Sequence, residues 1–324
     1  MDNLTHSLVG ALIGQAGLKR KTGLAMPALV IGANLPDVDV SCFLWLDGVE
    51  HLAFRRGITH GPIAWVLLPL LLAAALWWFD RWQERRGTRP EARLPVRFGW
   101  LYALAFIACL THPALDWLNV YGIRLLEPFS SKWFYGDTLF IIDVWLWLGL
   151  GFATWLSLRR EKRGGEWRRP ARVALVGALA YIGLNWGITA YVYDYDRYFQ
   201  RGVIVSPVPA IFFHREVLTQ VYPDVWTSTE WEGKQQDYPG KNTACFDNCQ
   251  GYPQNNVCDL SPVRALRASD PRVDAFLFWS RAPFAERAPD GSVVLHDARF
   301  YDPRVSGRFS VALPEVPCRE LAVE

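Results

Sequence analysis

Three of the six histidines in this 324-residue chain directly follow a threonine: His6, His60 and His112. Imidazole nitrogen is a common ligand of divalent transition metals. Asp116 follows His112 by four residues, and on a helix this spacing places an imidazole and a carboxylate one turn apart on the same face. The two groups could supply two ligands to one ion, or one ligand and the group that orients it.

Two further carboxylates, Asp37 and Asp39, follow Pro36, which stops the preceding apolar segment from continuing as a helix. Carboxylates two residues apart in a turn can bracket a cation. Together with the histidines they form the nitrogen and oxygen ligand set of zinc, manganese and iron hydrolases. We therefore predict one or two divalent ions, zinc first and manganese or iron as alternatives, with the ligands His6, Asp37, Asp39, His60, His112 and Asp116.

A bound divalent ion lowers the pKa of a coordinated water to roughly 7, so that hydroxide could attack a phosphoester or an acyl centre. A carboxylate that is not a ligand would act as the general base, and Asp39 and Asp116 are equal candidates. Substrate contacts are expected at Lys132, Asp137 and Asp143. Lys132 could hold a phosphate or extend to lipid headgroups, and Asp143, one turn inside an apolar segment, must be paired or face the site.

Each of these groups also has a purely structural interpretation. A threonine before a histidine can cap a helix, the aspartates of the turn can cap one as well, and Asp116 can hydrogen-bond within a helix bundle. Ionisable groups at membrane depth are costly and tend to be functional. Because the three histidines and three aspartates converge near one membrane face, the joint pattern favours a site.

The composition indicates a membrane protein, since 51% of the residues are hydrophobic and only 20% are charged, against about 25% charged in soluble domains. A helix needs roughly 20 apolar residues to cross a bilayer. The stretches that qualify or nearly qualify are 62–79, 98–110 (extendable to 118), 139–158 and 173–193. Two shorter apolar segments, 4–18 and 24–35, precede these stretches. Segment 38–46 is amphipathic and is expected to lie at the membrane interface.

The distribution of arginine and lysine predicts the orientation. Basic residues concentrate in 81–97, in 159–172 and in the turn 19–21, and short basic loops stay in the cytoplasm. By alternation, 36–60, 113–138 and 194–324 lie outside. The histidines and aspartates described above therefore collect on the outer side.

The polar C-terminal part has the composition of a small β-rich domain. Strands are expected at 308–313, where apolar residues alternate, and at 292–301 and 275–280, and 228–262 is expected to be a long loop. Four cysteines there suggest two disulfides with three alternative pairings, which require an oxidising compartment; a four-cysteine structural zinc site is the competing interpretation. These cysteines are Cys245, Cys249, Cys258 and Cys318.

At these motifs the chain resembles the YdjM-type family of LexA-regulated inner-membrane proteins, which are described as metal-dependent hydrolases by prediction alone. The resemblance covers about the first 200 residues. It implies a bacterial inner-membrane location and names the same six histidines and aspartates as metal-binding or catalytic. The matching residues are Met1-Asp2-x2-Thr5-His6, Asn34-x-Pro36-Asp37-x-Asp39, Arg56-x2-Thr59-His60, His112-x3-Asp116-x4-Tyr121-Gly122, Pro128-Phe129-Ser130, Gly136-Asp137 and Ile142-Asp143.

We therefore predict a mainly α fold: a multi-pass transmembrane helical bundle, residues 1–195, with an outward-facing metal site, and a small β-rich, disulfide-linked extracytoplasmic domain, residues 196–324. The expected partners are the lipid bilayer and an amphiphilic or lipid-linked substrate, and no motif for nucleic acid is present. The expected activity is metal-dependent hydrolysis of a phosphoester or lipid-like substrate. The alternatives are a metal-ion transporter, whose site would usually lie near the membrane midplane, and a non-catalytic envelope scaffold.

Overall fold

The computed structural model describes residues 1–199, 202–208, 211–222, 224–231, 257–301 and 309–319. The α-helices of this part are α1 (Asn3–Gln15), α2 (Ala25–Gly32), α3 (His51–Phe54), α4 (Pro62–Arg85), α5 (Phe98–Trp117), α6 (Val144–Lys162), α7 (Arg168–Phe199), α8 (Ser261–Ala265) and α9 (Pro271–Trp279). The strands are β1 (Ile204–Pro207), β2 (Arg215–Tyr222), β3 (Val225–Trp231), β4 (Val257–Cys258), β5 (Pro283–Arg287), β6 (Ser292–Asp297) and β7 (Ser310–Pro317).

The chain divides into two compact units. One unit, here called the helical unit, comprises Met1–Val40 and Arg56–Trp186. The other, here called the second unit, comprises Ser41–Arg55 and Gly187–Glu324. Each unit has its own apolar clusters, and the division falls within α7.

Three helices of the described chain are long and apolar enough to cross a membrane: Pro62–Arg85, Phe98–Trp117 and Arg168–Arg197. These are three of the four predicted stretches. The fourth, α6, is helical, but its last four positions include arginine, glutamate and lysine, so its apolar part is short for a full span. Helix α2 and the 3-10 helix Leu35–Leu44 form a further apolar pair, bent by 53°.

Small residues let the helices of the helical unit approach closely. Ala28, Ala33, Ala105 and Ala108 are fully buried in a cluster shared by α2, α4 and α5. A side chain on Gly32 would meet the backbone of Ala105 at 3.0 Å. Close backbone approach through small residues is the usual packing device of membrane helices, and here it holds α2 firmly against α5.

The second unit contains two antiparallel sheets, one in the order β1-β2-β3 and one in the order β4-β5-β6-β7. Apolar residues of both sheets share one cluster that includes Leu218, Trp226 and Phe284. The predicted strands 292–301 and 308–313 are confirmed in outline as β6 and β7. The predicted strand 275–280 is wrong, because Asp270 caps a helix there with Pro271 in its first turn.

The predicted loop 228–262 begins within β3 and ends within α8, and residues 232–256 lie outside the described residues. Of the four cysteines expected in disulfides, Cys258 and Cys318 are joined, with their Cα atoms 5.3 Å apart. Their bond ties β4 to the end of β7. Cys245 and Cys249 lie outside the described residues.

Candidate metal centre

Three separate segments of the helical unit carry the candidate ligands. Asp37 lies in the 3-10 helix Leu35–Leu44, directly after the short helix α2. His60 ends the 3-10 helix Ile58–His60, just before α4 begins at Pro62. His112 and Asp116 lie one turn apart on α5, as their spacing predicts, and both are fully buried.

The packing of the turn that carries His60 depends on Gly61. A Cβ atom on Gly61 would collide with the carbonyl group of Glu127. The absence of a side chain therefore lets the turn that carries His60 pack against the segment that follows α5.

One donor atom from each of Asp37, His60, His112 and Asp116 lies within 4.8 Å of the other three. His60 Nε2 is 3.9 Å from Asp37 Oδ1 and 3.7 Å from Asp116 Oδ2. His112 Nε2 is 3.7 Å from each of the same two oxygens. We call this arrangement of two nitrogens and two oxygens the four-atom ring.

The four-atom ring fits a divalent metal ion. Neighbouring ligands of a tetrahedral zinc ion, at bond lengths of about 2.0–2.1 Å, are separated by about 3.3 Å, slightly less than the separations seen here. The Nε2 atoms of His60 and His112 are buried and have no hydrogen-bond partner. Such atoms are costly unless something binds them, and a cation would satisfy both at once.

The other ring nitrogens of the two histidines are held by neighbours. His112 Nδ1 is 2.7 Å from the carbonyl oxygen of Ala33, so it carries the hydrogen and leaves Nε2 with a lone pair. His60 Nδ1 lies 3.0 Å from the Thr59 hydroxyl and 3.5 Å from Asp39 Oδ2. Burial lowers the pKa of His60 well below its usual value, which favours the neutral form that binds metals.

Asp39 was predicted as a ligand and as a candidate base. Its Oδ2 accepts hydrogen bonds from the backbone nitrogen of Arg56 at 2.7 Å and from the Thr59 hydroxyl at 3.3 Å. The carboxylate therefore lies behind His60, where it can orient the imidazole. Asp116, the other candidate base, contributes Oδ2 to the four-atom ring.

Sequence reasoning assigned no individual role to Arg56 or Asn119. The Arg56 Nε atom lies 3.0 Å from Asp116 Oδ2, and its Nη1 donates to Asn119 Oδ1 at 2.9 Å. Arg56 is buried and has a φ of 55°, a conformation that is uncommon outside glycine. The signals for Arg56 in the sequence were its position four residues before His60 and its place in the motif Arg56-x2-Thr59-His60.

His6 lies against the four-atom ring without belonging to it. Its imidazole stacks on that of His112, with ring centroids 3.8 Å apart and planes at 15°. Its Nε2 atom is 3.4 Å from Asp116 Oδ1. Five of the six predicted metal-binding residues therefore contribute to, or directly contact, one cluster of ligand atoms, and Asp39 supports it from behind.

The three predicted substrate residues occupy different surroundings. Lys132 is exposed, with its ammonium 5.7 Å from the centre of the Phe134 ring. Asp137 is half-buried and has a φ of 46°. The Asp143 carboxylate caps α6 by accepting hydrogen bonds from the backbone nitrogens of Trp145 and Leu146, and it accepts another from the Tyr181 hydroxyl at 2.9 Å. This gives Asp143 a structural role, and no observation tests substrate binding by any of the three.

Part of this chain is similar to a known protein, and part of it matches a family of proteins. The uncharacterized protein YfhP of Bacillus subtilis (strain 168) is 30% identical over 141 residues, which are 41% of this chain and 39% of that protein. The match thus spans well under half of either protein. No solved structure matches this chain.

Residues 1–192 match the family described as YdjM inner membrane protein. This region is more than half of the chain and contains all four residues of the four-atom ring together with His6, Asp39 and Arg56. Its long apolar helices agree with a membrane location. The chain belongs to the YdjM inner membrane protein family.

Proposed function

We propose that this protein is a membrane-bound, metal-dependent hydrolase whose ion is held by Asp37, His60, His112 and Asp116. The observation that carries the proposal is the four-atom ring, in which each of two imidazole nitrogens lies 3.7–3.9 Å from both of two carboxylate oxygens, on three separate segments. Two nitrogen and two oxygen donors suit zinc, with manganese or iron as alternatives.

The centre would face the extracytoplasmic side of the membrane. His60 immediately precedes α4 and His112 lies near the end of α5, whereas the opposite ends of these two helices are joined by the arginine-rich segment 86–97. Arg89 and Arg93 both pair with Asp80 near the end of α4. The positive-inside rule predicts that such a loop lies in the cytoplasm, and the part of the chain that follows α7 would then lie on the outer side.

The proposed substrate is a phosphoester carried by a lipid or another amphiphile. The ligands lie at the ends of apolar helices, where the headgroup of a membrane lipid would approach. When bound, the ion would polarise the phosphoester and lower the pKa of a water molecule to roughly 7. The protein's own part is to favour the neutral form of His60 and to orient both imidazoles.

Two groups around the ring would set this orientation. Asp39 lies 3.5 Å from His60 Nδ1 and would hold the imidazole with Nε2 toward the ion. Arg56 lies 3.0 Å from Asp116 Oδ2 and neutralises part of the negative charge of the two ligand carboxylates. Neither residue needs to contact the substrate for this role.

The first test is the metal content of the purified, detergent-solubilised full-length protein. The wild type should carry at least one zinc, manganese or iron ion per chain, and Asp37→Ala and His112→Ala should each lose it. His214→Gln, which changes a histidine of the second unit, is the matched control and should retain the metal. A metal-free wild type after loading with each ion in turn would refute the proposal.

The second test is hydrolysis, with bis(p-nitrophenyl) phosphate and phosphatidylglycerol in mixed micelles as probes. The loaded wild type should release product from at least one, and Asp37→Ala should be reduced to background. Flux of the same metal into proteoliposomes separates hydrolase from transporter. Metal flux without hydrolysis, or metal binding with neither activity, would contradict the proposed function.

A further inference from the structure

A basic pocket lies at the end of α5 opposite the four-atom ring. Its volume is about 250 Å³, and it is lined by Arg20, Lys21, Leu94, Pro95, Arg97 and Trp100. Arg20 ends the 3-10 helix Leu18–Arg20, whereas Arg97 directly precedes α5. Two segments that are far apart in the chain therefore bring three cationic side chains to one cavity, which we call the basic pocket.

Hydrogen bonds between the two segments fix the walls of the basic pocket. The backbone nitrogen of Gly23 donates to the carbonyl oxygen of Pro95 at 3.1 Å, and the backbone nitrogen of Arg97 donates to Thr22 Oγ1 at 2.8 Å. A Cβ atom on Gly23 would collide with the carbonyl oxygen of Leu94, so the two backbones approach as closely as a glycine allows. The fold itself therefore holds the three cations around the cavity.

The cations of the basic pocket differ from two neighbouring arginines in their partners. Arg89 and Arg93 both pair with Asp80, at 3.1 and 2.9 Å. In the part of the chain that the structure describes, no carboxylate lies within ion-pair distance of the three cations that line the pocket. Like charges gathered at one cavity without a countercharge create a positive potential that attracts an anion.

The basic pocket lies where a membrane presents its headgroups. Arg97 is the residue before Phe98–Trp117, one of the helices that are long and apolar enough to cross a bilayer. The Lys21 ammonium lies 5.0 Å from the centre of the Trp100 ring, in the first turn of this helix. Tryptophan is typical of the membrane–water interface, and basic pockets between membrane helices bind the headgroups of anionic lipids.

We propose that the basic pocket binds the phosphate group of an anionic phospholipid. The guanidinium groups of Arg20 and Arg97 can each donate two hydrogen bonds to phosphate oxygens, and Lys21 adds a point charge. The volume is below the about 300–1,000 Å³ of pockets that enclose a drug-sized ligand. It suits a headgroup whose acyl chains remain in the bilayer. This lipid site is separate from the metal centre and does not depend on the proposed function.

Native mass spectrometry of the full-length protein in detergent tests the proposal, with phosphatidylglycerol and phosphatidylcholine of equal chain length as probes. The wild type should retain phosphatidylglycerol about tenfold or more tightly than phosphatidylcholine. Arg20→Gln with Arg97→Gln should weaken this binding by about 25-fold, since each cation contributes about 1 kcal/mol. Arg85→Gln with Arg86→Gln, which removes the same charge near the same end of α4 but outside the pocket, is the matched control and should bind as the wild type does.

Three outcomes would overturn the lipid site. Equal retention of the two lipids, or an equal loss in the two double variants, would show diffuse surface charge only. Displacement of phosphatidylglycerol by inorganic phosphate as effectively as by more of the lipid would show a site for free phosphate. If the glutamine variant does not fold, Arg20→Lys with Arg97→Lys keeps the charge and should retain more of the affinity than the removal of either arginine alone. The metal content should be the same in all these variants.

Discussion

The two units of this protein differ in whether their buried polar and charged side chains have hydrogen-bond partners. In the second unit, Asp297 and Arg299 form a fully buried pair, with Nε to Oδ1 and Nη2 to Oδ2 both at 2.8 Å. The same carboxylate also accepts hydrogen bonds from the Ser280 hydroxyl and the backbone nitrogen of Arg281. The protein itself supplies the partners that this buried carboxylate needs.

The helical unit also buries polar side chains, but it leaves several of their nitrogen atoms without hydrogen-bond partners. The Nε2 atoms of His6, His60 and His112 are buried without hydrogen-bond partners, although all three approach carboxylate oxygens. The comparison separates two uses of buried polar groups. A complete network specifies and stabilises a fold, whereas converging groups with unused atoms are positioned for a ligand that the chain does not supply.

The largest effect should come from breaking the complete network. Arg299→Ala leaves the Asp297 carboxylate buried without its countercharge, and we expect it to destabilise the second unit by about 3–5 kcal/mol. The measurement is denaturant unfolding followed by tryptophan fluorescence, because the Arg299 guanidinium lies 4.9 Å from the centre of the Trp279 ring. Arg299→Lys, which keeps a positive charge beside the Asp297 carboxylate, should be destabilised less than Arg299→Ala, and metal content should not change.

Metal removal should produce the next effect, confined to the helical unit. A ligand at about 100 times its Kd stabilises the folded state by about 2.7 kcal/mol. Chelation by EDTA should therefore lower the thermal unfolding midpoint of the loaded wild type by several degrees. Asp37→Ala should show no such shift, and an equal shift in this variant would mean that the chelated ion is bound elsewhere.

A smaller effect, on metal affinity, is expected from replacing Asp39, which lies behind His60. Asp39→Asn keeps the size of the side chain but removes the charge that faces His60 Nδ1, and loss of such a supporting group typically weakens metal affinity by about 10–100-fold. Competition with a chromophoric chelator measures the change. Unaltered affinity would show that the Thr59 hydroxyl, 3.0 Å from the same nitrogen, is sufficient to orient the ring.

The smallest effect, and the sharpest contrast with Arg299→Ala, concerns His6. His6→Phe removes two buried nitrogens that have no hydrogen-bond partner and keeps an aromatic ring against His112. We expect the metal-free stability to change by less than about 1 kcal/mol, or to increase. A loss comparable to that of Arg299→Ala would show that His6 has an essential structural partner.

Much of the fold could be predicted because it depends on local patterns. The apolar runs predicted α4, α5 and α7, and the four-residue spacing predicted that His112 and Asp116 share a helix face. The error at α9 arose from its aromatic, strand-like composition. Asp270 followed by Pro271 was the local signal for a helix start. This signal outweighs composition because the Asp270 side chain accepts a hydrogen bond from the backbone nitrogen of Arg272, which has no partner within the helix.

Residue chemistry and membrane hydropathy are local properties, so the amino-acid sequence was enough to predict the kinds of candidate ligand, their approximate number and their concentration in the family-matched part of the chain. Which of their atoms meet depends on long-range packing, and it could be read only from the folded chain. The fold placed Asp37, His60, His112 and Asp116 in one ring, Asp39 behind His60, and His6 on the far oxygen of Asp116. These distances follow from how α1, α2 and α5 pack through small residues, and no short-range pattern encodes such long-range packing.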